Sequence, residues 1–157
     1  MLVRNAFPND FRAVADKSKE WAELTIEQES IYHIMLEHFR NMCFIAEDRG
    51  EIIGYLLGSR SHSDPDVAFI QCILVSPRLR GNGVGRRLFN QYQTAIKSMG
   101  CKKIMALGET ENRNCAAFYE AMGFRISDGN TLETDDVKAL KNHGRPGKNA
   151  VIWTKEI

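Results

Sequence analysis

The 157-residue sequence predicts an α/β fold, a mixed sheet with helices on both faces. Three observations carry this. The apolar pattern orders the chain as β, αα, βββ, α, β, α, ββ. At Gly83 the apolar period changes abruptly from two to 3.6. Apolar residues make up 43% and charged residues 26%, enough for one core and too little charge for wholesale disorder. The length suits one domain spanning 1–157.

Each element has a local reason. Leu2 to Ala6 reads as a first strand, and Asp10 is placed to cap a helix running to about Trp21. Thr25 and Gln28 have capping-box spacing. Behind them Ile31, Ile34, Met35, Phe39 and Met42 form one apolar stripe, expected to face the core. Cys43–Glu47 and Glu51–Ser59 flank the turn Asp48-Arg49-Gly50 and make a hairpin. After a polar loop over 60–66, Val67–Val75 is a long apolar strand stopped by Ser76-Pro77. Val84, Leu88, Tyr92, Ala95, Ile96 and Met99 share one face of the next helix, and Gly100 is its C-terminal cap. Lys102–Leu107 is a strand and Asn112–Met122 a helix ended by Gly123. Phe124–Ser127 and Ala150–Lys155 are the last strands. Residues 129–148 are polar, with a short helix expected at Asp135–Lys141.

Composition narrows function. Twenty-one basic against 20 acidic side chains leave a formal charge of +1, which gives no support for nucleic acid as a partner. The N-terminus has no signal-peptide core, and Val67–Val75 is far too short to span a bilayer. Cys43, Cys72, Cys101 and Cys115 form no CxxC pair and the histidines are scattered, so no metal site is expected. Four reduced thiols are those of a cytoplasmic protein.

The informative stretch is Val75-Ser-Pro-Arg-Leu-Arg-Gly-Asn-Gly-Val-Gly-Arg-Arg-Leu88. A strand ends, Gly81, Gly83 and Gly85 follow, and a helix begins. Such a turn leaves backbone N–H groups free at a positive helix end, an anion site suited to a pyrophosphate. Arg78, Arg80, Arg86 and Arg87 add positive charge. Gly85-Arg86-Arg87 lacks the Lys-Ser/Thr of a Walker A loop, and the glycine spacing is not GxGxxG. Arg80, Gly83 and Gly85 do meet R/Q-x-x-G-x-G/A. A second block reads Asn112-Arg-Asn-Cys-Ala-Ala-Phe-Tyr-Glu-Ala-Met-Gly-Phe124. With Asn112, Tyr119, Gly123 and Phe124 in place, the sequence resembles the GNAT family of N-acetyltransferases over about Glu47 to Phe124. Cys115 stands where that family usually has Ala or Ser.

The resemblance implies a mostly antiparallel mixed sheet splayed between its fourth and fifth strands, with acetyl-CoA in the gap. It implies that backbone groups of Ile73, Leu74 and Val75 pair with the pantetheine arm, and that Arg80, Gly81, Asn82, Gly83, Val84, Gly85 and Arg86 hold the pyrophosphate. The Arg86 and Arg87 side chains either touch the cofactor or face solvent. Asn112 contacts the pantetheine, caps its helix, or does both. Tyr119, on an apolar helix face, is either a core tyrosine with a bonded hydroxyl or the general acid for the leaving thiolate. Members that modify ribosomal-protein N-termini carry Glu where this chain has Leu107. Glu109, two residues on and on the same strand face if the strand continues, is therefore the candidate base, with Glu111 beside it. His62 and Asp64 are weaker candidates. The implied activity is acetyl transfer to a primary amine by direct attack, without an acyl-enzyme. The alternative is a non-catalytic acyl-CoA sensor. The acceptor, a small-molecule or peptide amine, is set by the N-terminal helices, the 60–66 loop and residues 129–148. Family habit makes a homodimer plausible.

Overall fold

Nine strands and four helices occur among the described residues of the computed structural model, which are 1–22, 25–109, 112–127, 133–134, 137–140 and 150–157. They are β1 (Leu2–Asn5), α1 (Phe11–Trp21), α2 (Ile26–His38), β2 (Cys43–Asp48), β3 (Glu51–Arg60), β4 (Val67–Val75), α3 (Val84–Ser98), β5 (Lys103–Glu109), α4 (Arg113–Ala121), β6 (Arg125–Ile126), β7 (Glu133–Thr134), β8 (Val137–Leu140) and β9 (Ala150–Glu156). The sheet order is β1-β2-β3-β4-β5-β9-β8-β7, with β6 also on β9. β4 and β5 are parallel, and the other pairs are antiparallel. A parallel pair needs a crossover, and α3 supplies it.

Two cores flank the sheet. Phe44, Leu56, Ile70, Leu88, Phe89, Tyr92, Tyr119 and Trp153 fill the side covered by α3 and α4. Val14, Tyr32, Leu36, Ile45, Tyr55 and Leu57 fill the side covered by α1 and α2. α3 comes close to the sheet because Gly58 has no side chain. A Cβ there would lie 2.3 Å from the Tyr92 ring. The Tyr92 hydroxyl donates to the Phe69 carbonyl at 2.7 Å.

Three expectations are corrected. On α2 the buried residues are Tyr32, Met35 and Leu36, while Ile31 and Ile34 are exposed. The helix is apolar on more than one side, so spacing alone could not choose its inward face. The capping box itself is present, with Thr25 N–H donating to Gln28 Oε1 at 2.9 Å and Gln28 N–H to Thr25 Oγ1 at 3.3 Å. The short helix expected at 135–141 is instead strand β8 where described, because its backbone pairs with β9 at Ala139–Val151 and Leu140–Ala150. Asp10 does not cap α1 with its side chain; it accepts from the Phe7 N–H at 2.7 Å and from Arg4.

Arg4 grips Asp10 through two bonds, 2.8 and 2.9 Å, and also donates to Glu47 from Nε at 3.1 Å. This ties β1 and β2 to the turn before α1. Burial alone would push the Asp10 carboxyl up, but the Arg4 bond, the Phe7 N–H and the Arg4 charge together hold it below the usual range. A lowered folded-state value gives stability that is complete above about pH 4 and is lost as pH falls through that lowered value. The melting temperature should fall on acidification from about pH 5 to 2, and Arg4→Met should flatten that fall. Parallel melting curves for the two proteins would show that this cluster contributes nothing.

Candidate active site

β4 pairs with β5 only along Val67–Ile70 and Lys103–Ala106. Beyond that point β4 stays with β3 up to Val75, and β5 stays with β9 up to Glu109. The cause is a bulge. Leu57 pairs with Cys72 and Gly58 with Ile70, which leaves Gln71 as an extra residue that bends β4 away. From Gln71 to Val75 the edge facing β5 has no strand partner among the described residues. An extended ligand can enter such a slot and bond to the free edge as a strand would. Ile73 and Val75 turn their side chains into the α3 core, and Leu74 turns to the α1–α2 core. Their backbone is what the slot offers.

The slot leads to the glycine turn. Gly81 and Gly83 both have φ of +80°, which a Cβ would strain, and Gly83 is the N-cap of α3. The first bond into the helix is Arg87 N–H to Gly83 C=O at 3.0 Å. No backbone carbonyl among the described residues accepts from the N–H of Val84, Gly85 or Arg86. These groups point out of a helix start, where an anion is stabilised. The exposed Arg78, Arg80, Arg86 and Arg87 surround the turn. Arg80 Nε also donates to the Val75 carbonyl at 3.3 Å and closes the turn. Asn82 N–H bonds to the Leu79 carbonyl at 3.4 Å. A Cβ on Gly85 would lie 3.0 Å from the Phe118 ring, so this glycine lets α4 pack against the start of α3.

α4 begins at Asn112, whose Oδ1 accepts from Cys115 N–H at 3.0 Å. The capping role is therefore filled. Seven residues on, Tyr119 is 3% exposed. Its ring stacks on Trp153 at 5.8 Å between centroids and meets Phe118 and Phe124 at 5.6 and 5.0 Å. Gly108 makes room for this stack, since a Cβ there would come within 2.9 Å of Trp153 Nε1. A core tyrosine is expected to have a bonded hydroxyl, yet this one has no hydrogen-bond partner among the described residues. Burial raises its pKa, and the thiols of Cys115 and Cys72 raise it further. Cys72 lies on β4 just past the bulge.

β5 continues to Glu109, which pairs with Ala150. The side chain of Glu109, like all of Glu111, lies outside the described residues. His62 and Asp64 are not brought to the slot. Their loop precedes β4, at the opposite end from the splay, and is pinned there by Ser61 N–H to Val67 C=O at 2.8 Å and Lys102 N–H to Asp66 C=O at 2.7 Å. The 60–66 loop therefore does not border the slot. Burial pushes the Cys72 thiol up and the Cys43 thiol to about 11, which disfavours either as a nucleophile. No group of three metal-ligating side chains occurs among the described residues. None of their helices is long and apolar enough to cross a membrane. Sequence reasoning missed Trp153 behind Tyr119, and it missed Ser18, Tyr32 and Tyr55 below Cys72. Only their apolar surroundings were readable.

A sequence model described as the acetyltransferase (GNAT) family matches residues 4–124. The L-2,4-diaminobutyric acid acetyltransferase of Halomonas elongata is 27% identical over 95 residues, 60% of this chain and 50% of that protein. The chain thus spans about half the length of this relative. An acetyltransferase of Pectobacterium atrosepticum is 26% identical over 140 residues, 84% of this chain and 93% of that one. Among solved structures, the diaminobutyrate acetyltransferase of Paenibacillus lautus, with its substrate and coenzyme A, superposes with a TM-score of 0.74 at 16% identity, covering 98% of this chain and 92% of that one. The ribosomal-protein-alanine N-acetyltransferase of Brucella melitensis gives 0.75 at 18% identity and covers 100% of both chains. At these identities the likeness is one of fold.

Proposed function

We propose that this protein, since it belongs to the GNAT acetyltransferase family, moves the acetyl group of acetyl-CoA to a primary amine by direct attack on the thioester. The carrying observation is a strand edge, Gln71–Val75, with no strand partner among the described residues, that runs into a glycine turn whose N–H groups meet no backbone carbonyl among them. One face of the fold thus offers an extended slot and, at its end, an anion site. An acyl-pantetheine diphosphate has those two parts in that order.

In this reading the backbone of Ile73, Leu74 and Val75 pairs with the pantetheine arm. An N–H at Leu74 or Val75 polarises the acetyl carbonyl. The turn Arg80, Gly81, Asn82, Gly83, Val84, Gly85 and Arg86 binds the pyrophosphate. Asn112 adds a contact to the arm from its amide NH₂ while Oδ1 remains in the cap. Tyr119 protonates the departing thiolate, and Glu109, alone or through water, takes the amine proton. The acceptor is a small-molecule amine, as the diaminobutyrate relatives suggest, or a peptide amine, as the ribosomal-protein relatives suggest. We assign the chain as one cytoplasmic domain over 1–157.

Calorimetry with coenzyme A and acetyl-CoA tests the cofactor, and thiol release over polyamines, amino acids, aminoglycosides and peptides tests the transfer. Uptake of both ligands and amine-dependent thiol release are expected. No uptake by folded protein overturns the proposal. Uptake without thiol release from any amine would mark an acyl-CoA sensor instead.

A further inference from the structure

We propose that Tyr32 is a positioning residue for the slot: its hydroxyl ends a buried chain from Ser18 and Tyr55 and holds Cys72, and with it the partnerless half of β4. The geometry is continuous. Ser18 Oγ lies 2.7 Å from Tyr55 Oη, Tyr55 Oη donates to Tyr32 Oη at 3.3 Å, and Tyr32 Oη donates to Cys72 Sγ at 3.1 Å. Four elements are linked in this way: α1, β3, α2 and β4. Ser18 is 1% exposed, Tyr55 0% and Tyr32 7%. The two phenol rings meet edge to face at 5.8 Å.

Phenylalanine at 32 and 55 would fill nearly the same volume without burying hydroxyls. Buried hydroxyls cost free energy unless they are satisfied, so a complete chain of them specifies one arrangement of the elements it joins. The place where this chain ends is telling. Cys72 immediately follows the bulged residue Gln71, where β4 has just lost β5. From there β4 is held by β3 on one edge and by side chains on its two faces. The side chains of Ile73 and Val75 pack against the α3 core. Cys72 is the position where a directed bond sets how far the strand stands from the helices. A shift there would move the backbone groups of Ile73 to Val75.

The inference rests on the slot being the cofactor site. The test uses the whole chain and coenzyme A, with affinity by calorimetry and stability by thermal melting. Tyr32→Phe and Cys72→Ala should each weaken binding by about fivefold to tenfold, the usual worth of one buried hydrogen bond. The double variant should be no weaker than the worse single one, because both changes break the same bond. Cys72→Ser, which keeps an acceptor for Tyr32, should recover most of the affinity lost in Cys72→Ala. Unchanged affinity with lowered melting temperatures, or additive losses, would reduce the chain to core packing and overturn the proposal. Should Tyr32→Phe fail to fold, equal affinities for Cys72→Ala and Cys72→Ser would overturn it. If the unaltered protein takes up no coenzyme A, the cofactor reading itself fails, a result distinct from the others.

Discussion

Tyr119→Phe should lower kcat by about a hundredfold to a thousandfold, the usual worth of a positioned acid, with coenzyme A affinity kept within about twofold. The change removes one oxygen and leaves the ring against Trp153, Phe118 and Phe124. No described partner of that oxygen is left unsatisfied, so the melting temperature should barely move. A hydroxyl that only packed would have no such effect on rate. Burial and the two nearby thiols keep the phenol protonated throughout the neutral range. It can therefore offer its proton to a thiolate at any pH where the amine is neutral. The alkaline limb of the kcat profile should not show an ionisation of Tyr119 below about pH 10, its ordinary value. Steady-state rates across pH, beside calorimetry on both proteins, decide the matter. A variant with unaltered kcat would leave Tyr119 as part of the core and nothing more.

Gly58→Val should destabilise the fold by about 3 kcal/mol and lower the melting temperature by roughly 6–12 °C. A Cβ at 58 would sit 2.3 Å from one Tyr92 ring carbon, 2.9 Å from another and 3.0 Å from the Phe69 carbonyl oxygen. The backbone oxygen cannot step aside without disturbing β4. The ring can move only by giving up its 2.7 Å hydrogen bond to that same carbonyl. Overpacking and a lost buried bond therefore add. Gly100→Ala is the contrast. Nothing lies within 4 Å of a Cβ there, and the cost is only the strain at φ +83°, about 1 kcal/mol. Equal melting temperatures for the two variants would refute this account of why α3 sits so close to the sheet.

Some of the site is written locally. The tight glycine turn over Gly81 and Gly83, the α3 start near Val84 and the Asn112 cap were all legible, because each depends on residues within one turn of chain. The β2–β3 hairpin was legible for the same reason. The inward face of α2 was not. Ile31 and Ile34 outscore Tyr32 in hydrophobicity, yet Tyr32 goes inside, where its hydroxyl accepts from Tyr55 and donates to Cys72. Strand β8 was missed because its partner, β9, comes later in the chain and its own residues carry little pattern. His62 looked adjacent to the site in sequence, but direction along β4 carries it to the far end.

Residue order alone determined an α/β chain whose glycine turn opens a helix and whose Tyr119 lies seven positions beyond a capping Asn112. These are properties of short stretches, governed by backbone freedom and by the helical repeat. Tertiary structure alone decided where the sheet opens, at the extra residue Gln71. It also decided that a thiol held by Tyr32 stands just past that opening. Both outcomes depend on which strand stands next to β4 at each position, and pairing between segments tens of residues apart leaves no mark in either segment by itself.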